Sequence, residues 1–118
     1  MPKPMPGRPV RGSESGRPIM AILDLLGRRW TLRIGWELRN GPLAFRELQR
    51  RCGMLSPNIL TTRLRESAEV KLVEKGPDGL YKLTRRGQSL LELLNPLDEW
   101  AKGWSHELAR QARPKKSR

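Results

Sequence analysis

Glycine and proline cut this chain into pieces too short for anything but small helices and a hairpin. Gly27, Asn40-Gly41-Pro42, Gly53, Ser56-Pro57, Gly76-Pro77-Asp78-Gly79 and Asn95-Pro96 fall between apolar runs. Glycine supplies backbone angles closed to other residues, and proline cannot continue a helix but suits its first turn. The pieces between these breaks carry helical spacing. Pro18 can open a helix in which Ile19, Ile22, Leu23 and Leu26 fall at i, i+3, i+4 and i+7, and Gly27 can close it. Trp30, Ile34 and Leu38 form a second row at i, i+4 and i+8, with Leu32 and Trp36 beside it. Phe45, Leu48 and Cys52 give a short third helix that Gly53 breaks.

Ser56-Pro57 predicts the start of a fourth helix running to about Val70, because serine is a preferred N-cap and proline fits the first helical position. Leu72 to Lys75 and Leu80 to Leu83 read as two short strands around the turn Gly76-Pro77-Asp78-Gly79. Thr84 is a candidate N-cap for a fifth helix carrying Leu90, Leu91, Leu93 and Leu94. Asn95-Pro96 then marks a kink or a new helix, with Leu97, Trp100, Ala101, Trp104 and Leu108 along one face. The expected fold is mainly α with one small β-hairpin. Two helices joined by a tight turn and followed by a hairpin describe a winged helix-turn-helix, a three-helical DNA- or RNA-binding bundle with a wing.

Charge narrows the function. The chain carries 24 Lys and Arg against 12 Asp and Glu, net +12. Residues 28–65 hold nine basic and two acidic residues, whereas residues 87–109 hold one basic and four acidic. A basic middle beside a mildly acidic segment gives one face to a polyanion and leaves another for something else, and nucleic acid is the polyanion favoured. Residues 1–18, rich in Pro, Gly and Arg, read as a disordered basic arm; 19–110 as one domain; 111–118 as a basic tail. No run of about 18 apolar residues is present and the N-terminus lacks an apolar secretory core, so a soluble cytoplasmic protein with no membrane partner is expected.

The fourth helix holds the candidate reading surface. With Leu60 set at zero and about 100° per residue, Leu64, Ser67 and Ala68 face the core. Asn58, Thr61, Thr62 and Arg65 share the opposite face in the first turns, behind Ser56 and Pro57. Arginine matches the two major-groove acceptors of guanine, asparagine pairs with adenine, and threonine offers a hydroxyl and a methyl toward thymine. The plainer reading is a solvated polar face; the hairpin and the surrounding positive charge argue against it. Arg46, Arg50 and Arg51 on the third helix are candidate phosphate contacts, as are Lys75, Lys82 and Arg85 on and after the hairpin. Charged edges also blunt aggregation, which is the alternative for the hairpin lysines.

These residues resemble a known family. LDLLGRRW, GPLAFRELQR, SPNILTTRLRE and YKLTRRGQSLL followed by DEW, in that order, are similar to the HxlR-type branch of bacterial winged-helix regulators, relatives of the MarR type. The resemblance covers about residues 17–104 and implies a homodimeric DNA-binding transcription regulator acting in the bacterial cytoplasm on the nucleoid. It implies dimerisation through the first and last helices, and a wing and recognition helix facing one operator half-site. The chain departs from the pattern in two places. Arg17-Pro18 stands where many relatives have a sensing Cys-Pro, and Lys71 stands where the recognition helix usually ends in glycine. The wing is also shorter than usual.

Ile19, Ile22, Leu23 and Leu26, with Leu97, Trp100, Trp104 and Leu108, form rows too apolar to stay exposed on so small a domain, and a subunit interface explains them. Trp36, Trp100 and Trp104 could instead line a pocket for a small-molecule effector of unknown identity. Cys52 reads as a small core residue, with thiol sensing the alternative. His106 is the sole histidine and has no ligand or catalytic partners in sequence, so neither a metal, a cofactor nor an enzymatic activity is expected. The reading is a sequence-specific regulator with repression as the expected sign, and the alternative is a non-specific basic nucleoid-type protein whose tails carry the binding.

Overall fold

The structure, a computed structural model, describes residues 17–112 together with Pro6. Apart from Pro6, Arg17 and Pro18, the basic arm expected over 1–18 lies outside the described residues, as does the tail from residue 113. The elements in order are α1 (Pro18–Leu26), α2 (Thr31–Leu38), α3 (Phe45–Arg51), α4 (Pro57–Glu69), β1 (Val73–Lys75), β2 (Tyr81–Leu83), α5 (Arg85–Leu93) and α6 (Asn95–Ala112). This is the expected succession.

Pro18 opens α1, where its missing N–H falls among the unpaired donors of a first turn, and the Gly27 N–H closes the helix on the Leu23 carbonyl at 2.9 Å. Its buried side is Ala21 and Leu25; Ile19 and Leu23 face outward, with Ile22 and Leu26 half-buried. Trp30 departs from the expected helical row. It takes left-handed backbone (φ 78°) just before α2, so Thr31, Ile34 and Leu38 form the buried row instead. The core gathers α2, α3 and α4 around Leu48 and Leu60, both fully enclosed, and Val73, Leu83 and Leu91 bring the hairpin and α5 onto it.

β1 and β2 pair antiparallel, Val73 opposite Leu83 and Lys75 opposite Tyr81. The turn is closed by the Gly79 N–H on the Gly76 carbonyl, and Gly79 supplies the left-handed step (φ 83°). Leu43, just before α3, exchanges backbone hydrogen bonds of 2.9 and 2.8 Å with Tyr81. This one-residue bridge ties the wing to the start of α3.

The join between α4 and the wing is the tightest point of the fold. Lys71 adopts φ 66°, a left-handed conformation that costs a non-glycine residue about 1 kcal/mol or more. Leu72 N–H reaches the Ser67 carbonyl at 2.9 Å and Lys71 N–H the Ala68 carbonyl at 3.0 Å, the paired bonds of a Schellman closure. The helix therefore ends as a glycine would end it, with lysine in the position. Thr84 then works on both sides of the wing. Its hydroxyl donates to the Lys71 carbonyl (2.6 Å) and accepts from the Gly87 N–H (3.0 Å), capping α5 as expected. Gly87 is buried against this join: a Cβ there would lie 2.1 Å from the Leu72 carbonyl oxygen. That oxygen already accepts from the Thr84 N–H, so it cannot swing away without breaking the wing base.

Gly87→Ala is therefore expected to destabilise the domain by about 1–3 kcal/mol, the range for overpacking a filled site. The measurement is urea unfolding followed by circular dichroism; a midpoint equal to that of the parent chain would refute the close approach.

Candidate nucleic-acid interface

The turn before α4 is held by one residue, Gln49, through both its backbone and its side chain. The Gln49 carbonyl accepts from the N–H groups of Met54 (2.9 Å) and Leu55 (3.3 Å), and the Gln49 amide donates to the Leu55 carbonyl (2.9 Å). Gly53 (φ 73°) and Met54 (φ 61°) make the reversal with two left-handed residues in succession. Ser56 then sits at the N-cap position of α4 with Pro57 at its first position, but the serine hydroxyl makes no capping bond. The expected side-chain cap is not formed, and the Ser56 carbonyl accepts the first helical bond, from Leu60 N–H at 3.0 Å. The hydroxyl stays on the exposed side with the first turn of N–H groups, where an anion is favoured.

α4 buries Leu60, Leu64 and Ser67. Asn58, Thr61 and Arg65 are exposed together on the far side, as expected; Thr62 is half-buried. Ala68, expected in the core, is exposed instead. The helix stops at Glu69, so Ala68 lies in its last turn, which closes on itself through the Ser67 and Ala68 carbonyls. Met54 and Ile59, which sequence reasoning passed over, are also exposed here.

Most of the nine basic residues at 28–65 have partners. Arg28, nearly buried, reaches Glu66 at 2.9 Å and Asp24 at 3.5 Å. Arg63 bonds Glu66 at 3.1 Å and the Arg29 carbonyl at 2.7 Å. Arg29 lies over the Trp30 ring and Arg39 over the Trp36 ring, and Arg33 pairs with Glu37. Arg50 and Arg51, expected to meet phosphates, both clasp Glu47. Hydrogen bonds from Arg50 and then Arg51 hold the Glu47 carboxyl down to about 2, so it stays charged at any ordinary pH. Among the described residues, Arg46 and Arg65 are the two of the nine with no ion pair, hydrogen bond or ring contact. On the wing, Lys75 lies 5.6 Å over the Tyr81 ring and Lys82 lies 3.9 Å from Glu74, both exposed; Arg85 is exposed and has no partner among the described residues.

A second surface is apolar. Leu97, Trp100, Trp104 and Leu108 stand in one row on α6, each 45–63% exposed, and no residue of α6 is buried. Trp100 and Trp104 stack on one another with ring centroids 5.8 Å apart. Trp36 lies elsewhere, half-buried under Arg39, so the three tryptophans do not line one pocket. An apolar cavity of about 530 Å³, the size of a small ligand, opens between α1 and α5 and is lined by Ile19, Ile22, Leu25, Leu72 and Leu90, with no tryptophan in its wall. Cys52 is buried, and burial pushes its thiol pKa up, which works against a reactive thiolate. His106 is exposed. Among the described residues, no group of three or more His, Cys, Asp or Glu could hold a metal, and no helix is long and apolar enough to cross a membrane.

If Glu47 acts as an internal counterion for Arg50 and Arg51, Glu47→Gln frees both for phosphate. Binding to duplex DNA of arbitrary sequence should then tighten at low salt, and the slope of log K against log salt should steepen by about one to two. An unchanged slope would show that the two arginines stay off the DNA.

The comparisons with known proteins agree with this geometry. The family model for the HxlR-like helix-turn-helix matches residues 25–109. The HTH-type transcriptional regulator YodB of Bacillus subtilis is 32% identical over 87 residues, covering 69% of this chain and 78% of YodB. YvaP, an HTH-type transcriptional regulator of the same organism, is 32% identical over 88 residues, covering 70% and 82%. Quinone-bound YodB superposes with a TM-score of 0.67 at 30% identity, covering 72% of this chain and 96% of that one. A MarR-family transcriptional regulator from Enterococcus faecalis V583 superposes at 0.69 with 28% identity, covering 78% and 89%. The matched family and these relatives are DNA-binding transcription regulators, not enzymes. With its helix-turn-helix, its wing and a match over residues 25–109, the chain belongs to the HxlR-like helix-turn-helix family of transcriptional regulators.

Proposed function

We propose that the chain acts as a homodimer that reads a pseudo-palindromic operator and represses transcription by occupying it. The observation that carries the reading is the outward face of α4: Asn58, Thr61 and Arg65 are exposed together, and Arg65 has no partner among the described residues. A long, fully charged side chain left unpaired at such a place is available to a base edge. In a two-fold dimer the paired α4 helices would enter successive major grooves about 34–36 Å apart. Arg65 would grip guanine, Asn58 adenine, and Thr61 with Thr62 would meet thymine. Ser56, Pro57 and the first-turn N–H groups would sit on a phosphate, with Arg46, Arg85, Lys75 and Lys82 holding the backbone on either side. Arg50 and Arg51 would join only by exchanging Glu47 for a phosphate.

The exposed α6 row supports the dimer. Two stacked indoles and two leucines in water are unfavourable, and a second copy removes them from it. The outward side of α1, Ile19 and Leu23 with half-buried Ile22 and Leu26, would extend the same interface. A small apolar effector would enter the cavity between α1 and α5, next to the Lys71 turn that ends α4. The protein would work in the cytoplasm, on the chromosome.

Arg65→Ala is expected to cost about 1–3 kcal/mol on the preferred site and to relax the base preference at one position of each half-site. Fluorescence anisotropy against single-base operator variants reads this; an equal loss on every sequence would make Arg65 a phosphate contact. Trp104→Arg places a charge in the proposed subunit interface and should yield a monomer by light scattering. An unchanged dimer mass would move the interface elsewhere.

A further inference from the structure

The segment Met54 to Leu60 contains four large apolar side chains besides Pro57, and the core takes only two. Leu55 and Leu60 are buried, whereas Met54 is 67% exposed and Ile59 38%. A single exposed apolar side chain on a surface is ordinary. These two are set apart by place and by backbone. They flank Ser56-Pro57, one on the turn and one in the first turn of α4, beside Asn58. Met54 holds a left-handed conformation that glycine or asparagine adopts with less strain, and neither the turn nor the core uses its side chain. Ile59 is β-branched, which gives an exposed helical position no advantage over a straight polar residue.

The surroundings decide what could cover them. The first turn of α4, which carries Ile59, also offers its uncapped N–H groups and the exposed Asn58, and such polar groups suit a polyanion and not an apolar protein partner. The apolar group that a duplex displays in its major groove is the C5-methyl of thymine. We propose that Ile59 is a specificity-determining residue that packs on a thymine methyl in each half-site, with Met54 supplying a second apolar contact beside it. This rests on the reading of α4 as a base-reading helix.

The test uses the full chain and an operator enriched from a random duplex pool. Each thymine of the half-site is replaced in turn by deoxyuridine, which lacks only the methyl. At one or more positions the parent chain should bind the uracil site about fourfold more weakly, the ratio that ~0.8 kcal/mol per buried carbon gives. Ile59→Ala should bind the thymine and uracil sites equally at that position, and Arg65→Ala should keep the difference. Ile59→Val, which removes one carbon, gives an intermediate ratio and serves if the alanine variant fails to fold by circular dichroism. If no sequence is enriched, the base-reading role of α4 falls and this inference with it. If an operator is enriched but no thymine shows the penalty, or Ile59→Ala or Ile59→Val retains it in full, α4 reads bases without Ile59 and only this inference falls.

Discussion

The rotation of α4 about its own axis decides which side chains it can offer to a partner, and two kinds of contact set that rotation. Leu60, Leu64 and Ser67 anchor one side in the core. On the flank, Glu66 holds Arg28 and Arg63 at once, and Arg63 also reaches the Arg29 carbonyl. Partly buried ion pairs of this kind add less stability than geometry, because desolvation offsets much of their attraction. Here the geometry is what matters. A helix pinned on its core side and on one flank keeps Asn58, Thr61 and Arg65 outward. Arg28, two residues past α1, reaches both Asp24 of α1 and Glu66 of α4, so the helix proposed to meet the second subunit and the helix proposed to meet DNA share one guanidinium.

Positive charge in this chain is divided between structure and surface. Arg28 and Arg63 serve the fold, Arg29 and Arg39 lie over tryptophans, and Glu47 neutralises two more. Among the described residues of the 28–65 stretch, only Arg46 and Arg65 are left without a partner. Sparse charge favours discrimination, since phosphate attraction is blind to sequence and every additional free arginine raises binding to all DNA alike.

Much of this was legible in the sequence, for physical reasons that can be named. Glycine and proline mark helix ends because their backbone restrictions are local, so Pro18, Gly27, Gly53 and Pro57 gave their boundaries directly. The outward face of α4 followed from helical geometry anchored on Leu60. Ala68 failed because the last turn of a helix has fewer neighbours than the arithmetic assumes. Trp30 failed because nothing local announces a left-handed tryptophan. The Arg28–Glu66 pair and the bond from Arg63 to the Arg29 carbonyl join positions 38 and 34 residues apart, and no spacing rule reaches that far. The Leu43 bridge is one residue long and leaves no alternation to detect. The Glu47 clasp was different: Arg50 and Arg51 stand three and four residues after it, and the ordinary rule for neighbours on a helix would have found the pairs.

The α6 row has a consequence for the order of events during synthesis. The buried cluster runs from Ile34 to Leu91, whereas the row begins at Leu97. A nascent chain thus emerges with every residue of its core cluster before any of its stacked tryptophans. The body that carries α4 and the wing can settle before the apolar helix is free to pair, and since chains fold from the N-terminus as they are synthesised, pairing in the proposed dimer would be the last step rather than the nucleus.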